Sequence, residues 1–451
     1  LAFAGTVCAQ SPPAPTLPIN LATALQLAGE RPLDVALATQ RVQVAAAQLE
    51  RAQALWWPTL ALGVDYARHD GQLQDIVGQV FTTSRSSFFV GGGPTLNLSV
   101  SDALYAPLAA RQIVQARQAE AQAARNDAGW AVAEAYFAVQ QARGELAGAT
   151  DTVRRAEEVA RQVTQLAGGL APALEANRSR AEVSRRRQSV AQAGERWQTA
   201  SAELARVLRL PASAVLEPAE PAQLRVVLLD PATPVDDLIP LALTQRPELV
   251  ARQAVVQATL ARLKQEHLRP LVPSLVLRGN ATNPSGTFST GLFGGGVNDR
   301  LANFNGRSSL DAQLVWEFQN LGFGNRAAVA ERRAERELAV LELFRVQDSI
   351  AAEVAQAHAQ VKHATQRASD AEQGLREALE LADKIGQSVG QTRRVGDVVT
   401  LVFRPQEVVA AVQALALAYD DYFRAIADAN RAQFRLYRAI GKPAHCLVPL
   451  P

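Results

Sequence analysis

Two long apolar seams restrict what this chain can fold into more than any other feature. From Val354 the apolar positions step by alternating three and four residues: Val354, Ala357, Val361, Ala364, Ala368, Ala371, Leu375, Ala378, Ala382, Ile385 and Val389. Glu, Gln, Lys, Arg and Asp lie between them. A 3.5-residue period holds one narrow stripe against a partner helix, as in a coiled coil. The same seam stands 222 residues earlier (Val132 against Val354): Val132, Ala135, Val139, Ala142, Leu146, Ala149, Val153, Ala156, Ala160, Val163 and Ala167. A glycine follows each copy, Gly168 and Gly390. Two seams in one phase imply a duplicated architecture.

Shorter motifs repeat as well. Arg246-Pro247 repeats Arg31-Pro32, and Val250-Ala251 repeats Val35-Ala36, at an offset of 215 residues. Pro273-x-Leu275-x-Leu277 repeats Pro58-x-Leu60-x-Leu62, and Arg332-x-Ala334-Glu335 repeats Arg117-x-Ala119-Glu120. Between these motifs and the seams the offset grows from 215 to 222. That is one heptad, which a coiled coil absorbs without losing phase.

After Pro58 the period changes to two. Leu60, Leu62, Val64 and Tyr66 alternate with Thr59, Ala61, Gly63 and Asp65, which predicts a strand with one apolar face. Leu96, Leu98 and Val100 alternate with Thr95, Asn97 and Ser99 in a second. The repeat supplies a short third around Leu275 and Leu277, and a fourth at Leu310, Ala312, Leu314, Trp316 and Phe318. The connections at about 70–88 and 281–306, rich in Gly, Ser, Thr and Asn, predict long exposed loops.

The domain map follows. Residues 1–9 read as the remnant of a secretory signal, with Val7-Cys8-Ala9 as the cleavage site; the alternative is a lipidated N-terminus at Cys8. Residues 10–19 are a proline-rich leader. A first repeat covers 20–212, with a helix broken near Arg31-Pro32, strands at about 59–70 and 87–101, and a helical hairpin over 109–209. Its long arm to Ala167 would measure roughly 90 Å. A proline-rich linker covers 213–234. A second repeat covers 235–443, with strands at about 274–281 and 307–318 and a hairpin over 326–440, and a tail covers 444–451.

The chain has 451 residues and a net charge of +2, so charge argues for no nucleic-acid partner. No run of 18 apolar residues exists, which excludes a transmembrane helix and leaves a β-barrel open. Cleavage after Ala9 leaves Cys446 as the single cysteine, without an internal disulfide or cysteine metal cluster. Four strands cannot close a barrel, and free edges are not tolerated in lipid, so closure needs several chains. Three chains would supply twelve strands; the count also permits two or four.

In this order the motifs resemble the TolC-like family of outer-membrane efflux and secretion channels. The resemblance covers about residues 20–443. It rests on the duplicated Arg-Pro motif, the duplicated Pro-(Thr/Ser)-Leu-x-Leu strand start, the junction Trp316-Glu-Phe-Gln-Asn-Leu-Gly-Phe-Gly-Asn325, and the alanine-rich hairpins with glycine at the tip. It implies an α+β membrane protein. Three chains would share a 12-stranded transmembrane β-barrel, and long coiled-coil hairpins would form a periplasmic tunnel. It also implies docking to a periplasmic adaptor (membrane fusion) protein and, through it, to an inner-membrane pump. Alanine seams allow the close helix approach such a wall needs. Trp56 and Trp57 before the first strand, with Trp316 and Phe318 at the end of the fourth, suit the membrane–water interface. Thr59, Asp65, Asn97, Asp311, Gln313 and Glu317 form the opposite, polar strand face, which would line a wet channel.

The turns around Gly168, Gly169 and Gly390 would then form the far end of the tunnel, where the family's aperture and adaptor-docking surface lie. The second turn carries Arg393, Arg394, Asp397 and Arg404. Repeated around a symmetry axis, such charges could select ions or hold a gate; each can equally be a solvated turn residue. The family often places two acidic residues, three apart, after this tip. Here Asp397 is followed mostly by Val, Thr, Leu and Phe, which argues against an acidic constriction. His358 and His363 are five apart, off a shared helix face, and read as solvated positions rather than metal ligands. Arg185-Arg186-Arg187 reads as a solvated face. No phosphate loop, nucleophile elbow or H-E-x-x-H motif occurs, so the chain reads as non-catalytic, with no cofactor and no metal. The rival reading is a periplasmic coiled-coil adaptor or scaffold without a barrel. Adaptors normally carry one hairpin flanked by halves of a β-rich domain, not two helix-strand-strand-helix copies.

Overall fold

The computed structural model describes residues 16–30, 32–74, 76–167, 172–289, 307–395 and 398–442. The elements follow in chain order. Strand β1 (Thr16–Ile19) is followed by helices α1 (Leu21–Glu30) and α2 (Leu33–Gln53). Strands β2 (Thr59–Gln74) and β3 (Val80–Ser99) lead into helices α3 (Val100–Leu166) and α4 (Ala173–Leu208). Strand β4 (Val215–Pro218) precedes helices α5 (Val235–Gln245) and α6 (Pro247–Leu268). Strands β5 (Ser274–Ser289) and β6 (Arg307–Val315) lead into helix α7 (Phe323–Gln387). A small hairpin, β7 (Thr392–Val395) and β8 (Val398–Leu401), precedes helix α8 (Pro405–Ala439). The protein is therefore mostly helical with a smaller β component, an α+β chain.

The chain folds as two units, each drawing on both halves of the sequence. One takes Leu1–Gln40, Ala119–Val250 and Phe344–Pro451; the other takes Arg41–Gln118 and Ala251–Leu343.

In the first unit the helices bury their seams. Val132, Val139 and Val163 on α3, and Val354, Ala357, Val361, Ala364 and Ala368 on α7, are all buried. The largest core joins Val132, Tyr136, Phe137 and Val139 of α3 to Leu204 and Leu208 of α4, with Phe434 of α8 and Leu25 of α1. A second core joins Val159 and Val163 to Val183, Ile385, Val408 and Val412. Strands β1 and β4 pair in parallel, Thr16 against Val215 through Ile19 against Pro218. The 213–234 linker, read from its prolines as a plain connection, thus contains a strand. Side chains of α8 hold its remainder. The Asn430 amide donates to Leu224 O at 2.8 Å, and its oxygen accepts from Val226 N at 2.9 Å. Gln433 does the same with Leu229 O at 3.1 Å and with the N–H groups of Leu228 and Leu229.

The second unit is built on one antiparallel sheet in the order β2-β3-β5-β6. Thr59 pairs with Thr95, Thr95 with Arg278, and Arg278 with Asp311, which fixes one row across all four strands. Two predicted loops are corrected. Strand β2 runs to Gln74 and β3 starts at Val80, so the 70–88 connection is mostly ladder; β5 runs to Ser289. Residues 290–306, the rest of the second predicted loop, lie outside the described residues. Serine, threonine and glycine suggest loops locally, but cross-strand pairing supplies backbone hydrogen bonds whatever the side chain. The second strand ends at Ser99 rather than 101, and α3 starts at Val100, carrying Pro107 inside it at the loss of one backbone hydrogen bond. The fourth strand ends at Val315, so Trp316 and Phe318 follow it rather than close it.

Candidate functional site

The sheet register places one row of chemistry on each face. Leu60, Leu62, Val64 and Tyr66 share a face with Leu96, Leu98, Leu275, Leu277, Leu310, Ala312 and Leu314. Leu60, Leu62, Val64, Tyr66, Leu310 and Leu314 are mostly exposed. A contiguous apolar surface of this kind is unsuited to water and matches a hydrocarbon phase. The opposite face carries Thr59, Thr95, Asn97, Arg278, Asp311 and Gln313. The predicted interface aromatics lie at the strand ends. Trp56 and Trp57 follow α2 in a short 3-10 turn, and Trp57 is 76 % exposed; Trp316 and Phe318 are also exposed. Between Phe318 and α7 the chain makes a second such turn, in which Asn320 (φ 49) and Leu321 (φ 59) are both left-handed. The buried Asn325 holds that turn by accepting from Gln319 N at 2.8 Å.

The predicted tip residues divide. Gly390 has φ +83, a left-handed value that glycine takes without steric cost. Arg393 and Arg394 lie on β7, opposite Thr400 and Val399 of β8. The sequence predicted only a turn here; the short β-hairpin was missed because its four-residue strands are too brief for a period to register. Gly168, Gly169 and Asp397 lie outside the described residues. Arg404 precedes α8, and its N–H donates to Glu407 Oε2 at 3.1 Å.

Other functional geometry had no sequence motif. On α3, a Cβ added to Gly144 would stand 2.4 Å from the Phe423 ring, and one on Gly148 would stand 2.8 Å from Tyr419. These glycines, four apart, seat two stacked aromatics of α8. Beside them Asp151 accepts from Arg155 at 2.7 Å, and Arg155 reaches Asp383 of α7 at 2.5 Å. Tyr419 OH donates to Asp151 at 3.3 Å. Burial opposes the charge on Asp151, but hydrogen bonds from Arg155 and Arg154 outweigh it and hold its carboxyl below the usual range. Burial, reinforced by Asp151, raises the Tyr419 hydroxyl. A groove of about 660 Å³ runs between α3 and α4, lined by Glu157, Arg161, Arg180, Val183 and Arg187. The second copy of the Arg-Pro motif also finds its reason, while Arg31 of the first lies outside the described residues. Arg246, 4 % exposed, pairs with Glu353 at 2.9 Å and Glu248 at 3.0 Å, and donates to Ala439 O at the end of α8 at 3.1 Å.

Residues 24–208 match the model of a family described as outer membrane efflux protein. No curated protein matches the sequence. Among solved structures, the outer membrane channel CmeC of Campylobacter jejuni is similar at a TM-score of 0.74 and 13% identity, covering 94% of this chain and 85% of that one. The open-state MtrE channel of Neisseria gonorrhoeae matches at 0.73 and 18%, covering 94% and 89%. The outer membrane protein VceC of Vibrio cholerae matches at 0.71 and 15%, covering 94% and 96%. Part of the first half of the chain thus matches the outer membrane efflux protein model, and nearly the whole chain shares the fold of these solved outer-membrane channels.

Proposed function

We propose that this chain is one subunit of a homotrimeric, passive exit duct, the outer-membrane component of a tripartite efflux pump or type I secretion system. One observation carries the reading: the four-stranded sheet ends in β2 on one side and β6 on the other, with an exposed apolar face. All its neighbours are antiparallel, so β6 of one chain can pair antiparallel with β2 of the next, and closure removes every edge. Three sheets make a 12-stranded barrel. The polar row of Thr59, Thr95, Arg278 and Asp311 then faces the lumen. The order helix, two strands, two helices occurs twice, which supports reading 20–212 and 235–443 as copies of one ancestral unit.

The far ends of the hairpins, with Gly168, Gly169, Gly390, Arg393, Arg394 and Asp397, form the periplasmic aperture and the surface that meets an adaptor. The basic groove between α3 and α4 supports a docking role at that end. The energy for transport comes from the inner-membrane pump reached through the adaptor; no catalytic residue is assigned to this chain.

The test is the detergent-corrected mass of protein extracted from the outer-membrane fraction. Three chains of 48.3 kDa give about 145 kDa. A monomer recovered in the aqueous fraction would remove the channel reading.

A further inference from the structure

Where the sheet passes into the helices, the second unit contains a cleft of about 400 Å³ that the duct reading leaves unused. It is lined by Glu266, His267 and Pro270 at the end of α6, and by Asn325, Arg326, Val329 and Arg333 at the start of α7. Arg326, Val329, Ala330 and Arg333 recur at helical spacing, so both arginines lie on one face of α7, two turns apart. Among the described residues neither arginine makes a hydrogen bond or an ion pair. The acidic group beside them, Glu266, is already engaged by Arg269 at 3.4 Å, and Arg269 also holds Asp102 at 2.7 Å. The cleft therefore presents two uncompensated cations beside the imidazole of His267.

Directly before Arg326 the chain spends energy to expose apolar groups. Leu321 is left-handed at φ 59 and 92 % exposed, and Phe323 is 70 % exposed. A bulky residue held in that conformation costs on the order of 1–3 kcal/mol. Leu271, next to Pro270 on the other wall, is 72 % exposed. Trp316 and Phe318 complete an apolar rim at this strand end. Apolar and aromatic side chains on one side of two free guanidinium groups match an amphiphile whose acyl chains lie against the rim and whose phosphate enters the cleft.

We infer that the cleft between α6 and α7 binds the headgroup phosphate of an anionic glycerophospholipid in the periplasm-facing leaflet. Arg326 and Arg333 hold the phosphate, and Leu321, Phe323 and Leu271 contact the acyl region. The inference rests on the outer-membrane reading, because it needs a leaflet at this level. It would tie the foot of the barrel to its membrane and set how deep the subunit sits.

The experiment is native mass spectrometry of the full-length, detergent-extracted protein titrated with phosphatidylglycerol, with phosphatidylcholine as the zwitterionic control. Wild type is expected to retain phosphatidylglycerol preferentially. Arg326→Gln with Arg333→Gln should weaken that binding about 30-fold, as two cations beside an anionic lipid are each worth about fivefold. The Lys/Lys pair should retain most of it. Equal binding of the two lipids by wild type, or undiminished phosphatidylglycerol binding by the Gln/Gln protein, would overturn the inference. So would stabilisation by inorganic phosphate that matches stabilisation by the lipid. If the Gln/Gln protein instead loses its oligomeric mass while wild type shows no lipid preference, the cleft is a contact between subunits, and the inference also fails. A wild type that needs no detergent would count against the duct itself, a result distinct from all of these.

Discussion

Gly144 and Gly148 show why a residue must be judged against its partner. A mid-helix glycine normally costs about 1 kcal/mol relative to alanine. Here the missing side chain is the seat for Phe423 and Tyr419. Gly144→Ala should therefore destabilise the protein, by about 1–3 kcal/mol from overpacking, despite the gain in helix propensity. A thermal melt above that of wild type would refute the seat. Asp151 makes a second residue-scale case. Its carboxyl is held below its ordinary 3.8, so its contribution is present above that pH and is lost as pH falls through the lower folded value. Asp151→Asn should cost about 1–3 kcal/mol at pH 7, since Arg155 loses a charge-assisted partner. The deficit should start to shrink as pH falls below 3.8, where the unfolded chain takes up the proton first, and disappear below the lower folded value; parallel melting curves from pH 7 to pH 3 would contradict it.

Among the elements, the linker and the α8 C-terminus depend on side chains distant in sequence. Asn430 and Gln433 lie one turn-spacing apart on α8, and each offers an amide to an extended backbone, replacing the strand that would otherwise pair there. Asn430→Ala leaves Val226 N and Leu224 O without these bonds, at about 1–3 kcal/mol. Hydrogen exchange should find the Val226 amide exposed while the α3 core stays protected; unchanged protection would show that the linker is held otherwise. Arg246 has a comparable duty at the end of α8. Arg246→Ala leaves Glu353 to Arg438 alone and removes the bond to Ala439 O, and should cost about 1–3 kcal/mol, as lost charge-assisted hydrogen bonds do. Reversible denaturant unfolding measures this directly.

For the whole molecule, the two sheet faces make opposite demands. A cation on the lipid side of a barrel costs about 2–4 kcal/mol at the bilayer midplane, while the lumen side tolerates polarity. Leu62→Arg should thus reduce the yield of assembled, heat-resistant oligomer, whereas Gln313→Arg, on the polar row, should leave it near wild type. The reverse outcome would turn the sheet inside out and remove the duct geometry with it.

Much of this was legible in one dimension because periodicity is a local property. The 3.5-residue seams told which helix faces would be buried, from Val132 to Val163 and from Val354 to Ile385, and the two-residue alternation told which strand residues share a face. The Pro-(Thr/Ser)-Leu-x-Leu starts located β2 and β5 to within a residue. What lay outside that reach depends on partners far along the chain: Gly148 meets Tyr419, Arg155 meets Asp383, and Arg246 meets Ala439. No period encodes such a meeting, because it exists only once the two hairpins pack. Strand ends were misjudged for the same reason. A serine- or glycine-rich segment becomes ladder when a neighbouring strand offers it hydrogen bonds, and that offer is made by the folded sheet rather than by the segment itself.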